Sequence, residues 1–149
     1  EWDAIHMPAP GTIAILPTDE TPFPPIATLR GKPAAGTFFT VIYPNTFFAT
    51  THDCMWWLNA VPLAPDRTRV VHGACFPRST VARADFEDVL PRYMRRWEKS
   101  LGEDNDISEE QQLGMASRMA RPGRYSLHEP VVHALGNWVL DRVLAARPA

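Results

Sequence analysis

The feature that most constrains this chain is the stretch 36–76, where four aromatic and β-branched runs follow one another across short breaks. Gly36-Thr37-Phe38-Phe39-Thr40-Val41-Ile42-Tyr43 ends at Pro44-Asn45, and Thr46-Phe47-Phe48-Ala49-Thr50-Thr51 ends at His52-Asp53. Residues 55–63 and 69–76 make two more runs, separated by Pro65-Asp66-Arg67-Thr68. Side chains branched at Cβ, or carrying rings, suit a pleated, half-buried surface. Proline presets φ and aspartate bonds the backbone beyond it, so Pro65-Asp66 is a turn with a mechanism. Closely spaced strands with short turns predict an antiparallel meander. The runs do not alternate cleanly between polar and apolar, which predicts a sheet covered on at least one face.

Beyond Arg78 the period becomes helical. Phe86, Val89, Leu90, Tyr93, Met94 and Trp97 recur at i, i+3, i+4, i+7, i+8 and i+11, with Asp85 as the expected N-cap and Pro91 a local kink unless the helix starts close to it. A second helical stretch is expected over about 104–119, ended by Pro122-Gly123, and a third from Glu129-Pro130 through Val131, Leu135, Trp138, Val139 and Val143. Ahead of the sheet, residues 1–35 form a proline-rich lead-in. Its one expected strand is Gly11-Thr12-Ile13-Ala14-Ile15-Leu16, stopped by Pro17. The expected fold class is α+β, one domain with an antiparallel sheet packed by helices: a lead-in over 1–35 and the main unit over 36–149.

Composition narrows the function classes. A net charge of −2 gives no footprint for nucleic acid or an anionic membrane, and no apolar run approaches the length of a spanning helix. No basic segment leads into an apolar one, so no signal peptide is read, and an opening Glu1 in place of methionine reads as a cut or processed end. Cys54 and Cys75 are too far apart for a CxxC motif and are expected as buried thiols in strands, which suits a reducing, cytoplasmic compartment.

Few residue sets could carry chemistry. Glu103, Asp104, Asp106, Glu109 and Glu110 are the densest acids; by type alone they read as a helix start complementing the macrodipole, on a solvated face with no further role, with a metal role as the rival reading. Asp104, Ser108, Gln111 and Gln112 share one helical face, a polar surface or a ligand with its supporting groups. His128 and His133 lie five apart, about 140° around a helix, with Pro130 between them, a poor metal pair. His52 and His72 are expected as hydrogen-bonded structural residues. There is no G-x-S-x-G, P-loop or G-x-G-x-x-G. Trp2, Trp56, Trp57, Trp97 and Trp138 are expected mainly as core, while Trp57 and Asn59, on one side of a strand, are candidate substrate-pocket residues.

Taken in order, Tyr43-Pro44-Asn45, the segment Pro62 to Val70, Trp97, Glu103-Asp104-Asn105-Asp106, Gln112 with Gly114, Arg121-Pro122-Gly123-Arg124, and Glu129 leading to Trp138 form a collinear series. The series resembles the C-terminal half of the catalytic domain of Rieske-type non-haem iron oxygenases, the α subunits of ring-hydroxylating dioxygenases, over roughly residues 36–144. The resemblance implies half of a helix-grip domain, in which a curved antiparallel sheet wraps a long helix. It implies that Asp104, the second acid of a pair near a helix start, is one of three ligands to mononuclear Fe(II), the other two being histidines. It also implies a Rieske [2Fe–2S] cluster, electrons from NAD(P)H through a reductase or ferredoxin, O₂ and a small organic substrate as reactants, and a trimeric parent. The family's histidine pair lies N-terminal to the sheet behind an acidic residue. His128 and His133 lie C-terminal to Asp104, with Tyr125 at that acidic position, so they do not match, and no Rieske cluster motif occurs. The expectation is therefore an oxygenase fragment inactive by itself. The alternatives are a stand-alone helix-grip ligand-binding module and a structural domain that pairs with a complete subunit.

Overall fold

In the computed structural model, which describes residues 1–146, five strands form one antiparallel sheet in the order β1-β2-β3-β4-β5. They are β1 (Trp2–Pro8), β2 (Gly36–Ile42), β3 (Thr46–Thr50), β4 (Met55–Ala64) and β5 (Arg67–Cys75). The four expected runs become β2 to β5, and the Pro65-Asp66 turn closes the β4–β5 hairpin with Ala64 opposite Arg67. Three helices follow: a single turn α1 (Arg78–Val81), a long α2 (Phe86–Met115) and α3 (Pro130–Ala145). The α+β class stands: a five-stranded antiparallel sheet with a long helix against it. The last three residues of the unit assigned to 36–149 lie outside the described residues.

Two elements differ from expectation. The lead-in strand is Trp2–Pro8, paired along its whole length with β2, while Gly11-Thr12-Ile13-Ala14-Ile15-Leu16 forms no strand. Gly11 takes φ of 89°, and the Thr12 hydroxyl accepts the Ala14 N–H at 3.1 Å, a local bond that competes with a ladder. The segment is buried instead as a loop, with Ala14 and Ile15 in the core. Pro8 is tolerated because β1 is an edge strand. The second difference is that no break separates the expected helices before and after residue 104. α2 runs unbroken through Gly102, with an i,i+4 pair between Lys99 and Glu103 at 3.9 Å, and it also contains Pro91.

The core lies between one face of the sheet and the first half of α2. Strand alternation places Phe39, Ala49, Trp56 and Ala74 in one cross-strand row facing the helix. Trp56 stacks on Trp97 of α2 with centroids 4.6 Å apart. Phe23, from the proline-rich loop, is buried between Tyr93 and Phe86 at 5.0 and 5.4 Å, with Phe76 edge-on. The loop is fastened to α2: Arg95 pairs with Asp19 at 2.6 Å, Arg92 bonds Glu20 and Thr21, and Tyr93 receives the Phe23 N–H at 2.8 Å. α3 packs beside β1, with Trp138 against Tyr43 and under the Arg142 guanidinium, which also reaches Glu1 at 3.2 Å.

Of the expected core tryptophans, Trp56 is buried, Trp57, Trp97 and Trp138 are half-buried, and Trp2 is 67% exposed on the edge strand. Cys54 is buried just before β4, but Cys75 is exposed at the end of β5, because it alternates with the helix-facing Ala74 and lies on the other face of an edge strand. No helix among the described residues is long and apolar enough to cross a membrane.

Candidate functional site

The spacing that buries Tyr93 and Trp97 continues along α2 to Ser100 and Asp104, at i+7 and i+11 from Tyr93, so these polar residues fall on the helix stripe that faces the sheet. There they border a cavity of about 190 Å³. Its apolar walls are Phe39, Ala49 and Trp56 from the sheet, Ile13 and Ala14 from the loop, and Trp97 from the helix. Its polar atoms come from Thr51, Arg96, Ser100 and Asp104. The Arg96 guanidinium donates to the Ser100 hydroxyl. Trp97 is held by its indole N–H, which donates to His72 Nδ1 at 2.9 Å.

Asp104 is exposed at the rim of this cavity. Its backbone carbonyl accepts the Ser108 hydroxyl at 2.7 Å, while its carboxylate makes no ion pair or hydrogen bond among the described residues. The acidic motif does not open a helix. Asp104 sits about five turns inside α2, where the field of the helix terminus has faded, so the macrodipole part of that reading fails, while its solvated face stands, since Glu103, Asp104, Asp106, Glu109 and Glu110 are all exposed. The resemblance, too, expected this carboxylate near a helix start, and the unbroken α2 corrects that. Further along the same side, Ser108 and Gln112 face the β4–β5 hairpin across a wider cleft of about 690 Å³, bordered also by Arg67, Thr68 and Glu109; Gln111 does not border it.

Trp57 and Asn59 are not brought together with Asp104. They alternate with Trp56 and Leu58, so they point to the opposite face of the sheet. Trp57 lies over Gly73, where a Cβ would come within 2.8 Å of the indole, and the Asn59 amide donates to Thr46 Oγ1 at 2.8 Å. His72 is a hydrogen-bonded structural residue as expected. His52 is buried, but its Nε2 has no hydrogen-bond partner among the described residues. His128 and His133 are exposed, with His133 against Asn137 at 3.2 Å and beside Tyr125. Among the described residues, no group of three or more His, Cys, Asp or Glu side chains could hold a metal.

Sequence reasoning missed a second polar cluster, beneath the cavity. Asp53 is 1% exposed and accepts three hydroxyl hydrogen bonds, from Thr12 and Thr51 at 2.7 Å each and from Tyr93. Acceptance from three donors is the pattern of a carboxylate held by hydrogen bonds alone. Burial, reinforced by the bond to Asp53, pushes the Tyr93 phenol far above its ordinary range. Burial, with the Asp53 charge next, does the same to the Cys54 thiol. Asp53 lies in a break between strands, where sequence gives only a turn, and the one signal was the Thr51-x-Asp53 spacing typical of local side-chain bonds.

Residues 5–145 match the family model for the ring hydroxylating alpha subunit (catalytic domain). The match begins inside β1, so the lead-in is covered along with the sheet and helices. The chain belongs to that family, whose members are oxidoreductases that hydroxylate rings.

Proposed function

We propose that this chain forms the substrate-facing part of a ring-hydroxylating oxygenase catalytic domain, with Asp104 as one of three ligands to a mononuclear iron. The observation that carries the reading is an exposed carboxylate, unpartnered among the described residues, on the side of α2 that borders the apolar cavity, in a member of this family. The described residues do not complete an iron site. One carboxylate holds iron weakly against water, because affinity follows ligand number and geometry. The two remaining ligands, histidines by family resemblance, come from other parts of the protein in this proposal, as does the Rieske cluster that passes on electrons from NAD(P)H through a reductase. Iron, when bound, supplies the activation of O₂.

The chain's own residues do the rest. Trp56, Trp97 and Phe39 present flat apolar walls to a small organic substrate. Ala14 and Ile13 close the cavity from the loop side and limit water. In this reading the 149 residues alone lack oxygenase activity, and the working protein is a cytoplasmic trimer.

The test is iron content. In the full-length oxygenase that contains this chain, Asp104→Asn is expected to cut bound iron at least tenfold while the circular dichroism stays that of the parent. Iron retained at full stoichiometry in that variant sinks the assignment. A second reading, a ligand-binding module without catalysis, rests on the apolar walls of the cavity, Phe39, Ala49, Trp56 and Trp97. Tight binding of an apolar ring together with a full-length protein that takes up no iron would select it.

A further inference from the structure

The cavity has a second polar feature besides Asp104. Arg96 borders it, half-buried, and its guanidinium is anchored on Ser100, which borders it too. Arg96 makes no ion pair with a carboxylate among the described residues. Its neighbours on α2 are engaged elsewhere: Arg92 holds the loop carbonyls and Arg95 holds Asp19. Arg96 is thus a cation with unused donors at one end of an aromatic-walled space. A guanidinium offers five N–H groups in a planar fork matched to a carboxylate.

Resting on the oxygenase reading, we propose that Arg96 sets the substrate class: it receives the carboxylate of a single-ring aromatic acid whose ring lies against Trp56, Trp97 and Phe39. Volume supports one ring, since a dry cavity of about 150 Å³ is enough for benzene and this one is about 190 Å³. Electrostatics fixes the direction. Asp104 and the acid carry like charges, so the carboxylate goes to Arg96 and the opposite edge of the ring turns toward Asp104. Eight residues of helix separate the two, about 12 Å along the axis, which leaves space for one ring between them. The competing partner is Asp19. It borders an adjoining cavity of about 390 Å³ with Arg96, and its Oδ2 is buried without a hydrogen-bond partner among the described residues. An Arg96 turned to Asp19 would be neutralised and indifferent to an acid.

The experiment titrates the full chain with benzoate and with benzamide, its neutral counterpart of the same shape, by calorimetry and tryptophan fluorescence. Benzoate is expected to bind at least tenfold more tightly than benzamide. Arg96→Met is expected to abolish that preference, and Asp19→Asn to leave it in place. Equal binding of the two ligands by the parent chain overturns the proposal, as does a preference that survives Arg96→Met. A preference that shows only in Asp19→Asn assigns Arg96 to Asp19 and also overturns it. Each result is independent of the iron measurement, so a failed substrate class leaves the oxygenase reading standing, and a failed iron assignment leaves the binding result interpretable.

Discussion

Tyr93→Phe isolates the polar cluster under the cavity, because it removes one oxygen and no carbon. Tyr93 is fully buried, accepts the Phe23 N–H and donates to Asp53. Without the hydroxyl, the Phe23 N–H is left unpaired, at a cost of about 1–3 kcal/mol, and the Asp53 carboxylate loses one of three donors, at about 1.5–3 kcal/mol for a bond to a charged group. The two share one atom and are not additive, so the expected loss is about 3 kcal/mol. That is a large part of the roughly 5–15 kcal/mol by which domains are stable. At roughly 2–4 °C per kcal/mol for this size, the melting temperature should fall by about 6–12 °C. Urea denaturation followed by circular dichroism should show a lower midpoint at an unchanged slope. A loss below about 1 kcal/mol would refute the claim that this hydroxyl ties the proline-rich loop to α2, since burial of an unpaired donor cannot be that cheap.

The same cluster has a pH signature. The folded state raises the Tyr93 and Cys54 pKa values, so it holds both protons more tightly than the unfolded chain does. Their stabilisation is complete below the unfolded values of about 8.5 and 10, and it declines as pH rises through and beyond them, by at most about 1.4 kcal/mol per pH unit for each group. Denaturant midpoints measured from pH 7 to 11 should stay level at first and then fall from about pH 9; a midpoint that is flat to pH 11 refutes this. In Tyr93→Phe the part of the fall that begins near pH 10 should be smaller, the remainder coming from Tyr43, whose phenol is pushed up to about 12 by its hydrogen bond to Asp3. On the other sheet face, Gly73→Ala brings a Cβ against the Trp57 indole and should cost about 1–3 kcal/mol. Combining it with Trp57→Leu should recover part of that loss, and a double-mutant cycle with no coupling would show that the contact does not matter.

What could be read from sequence was whatever local chemistry decides. β-branching and the Pro65-Asp66 turn were enough for β2 to β5, because both act within a few residues. β1 was not legible, since its pairing with β2 spans the whole proline-rich loop and its own sequence carries a proline and an aspartate. The run 11–16 looked like a strand by composition, yet its backbone is organised by one threonine hydroxyl and a distant aspartate. α2 was split in two because five acids resemble a helix start, and only packing reveals that they sit in the middle. The proposed iron role of Asp104 came only from the ordered resemblance, and nothing in the sequence singled out Arg96. Nothing local distinguishes it from Arg92 and Arg95, which bind the loop.

The periodicity of α2 marks where the helix leaves the cover of the sheet. The stripe at 86, 89, 93 and 97 is aromatic or aliphatic, and its next two members at 100 and 104 are serine and aspartate. From Gly102 onward every residue of α2 is exposed, so the stripe ends where the cover ends, and Asp104 stands just beyond it at the rim of the cavity. Asp104→Leu puts this to the test, because it extends the stripe. Asp104 is exposed and its carboxylate has no partner among the described residues, so no hydrogen bond or ion pair is lost. The leucine adds apolar contact at the cavity rim, and the expected gain is about 0.5–1 kcal/mol, the size of one favourable substitution. The chain alone should therefore melt slightly higher, and on the proposed reading a longer oxygenase that carries the same substitution should lose bound iron. A destabilisation of more than about 1 kcal/mol would place Asp104 among the structural residues, since surface changes away from such roles stay within about 0.5 kcal/mol.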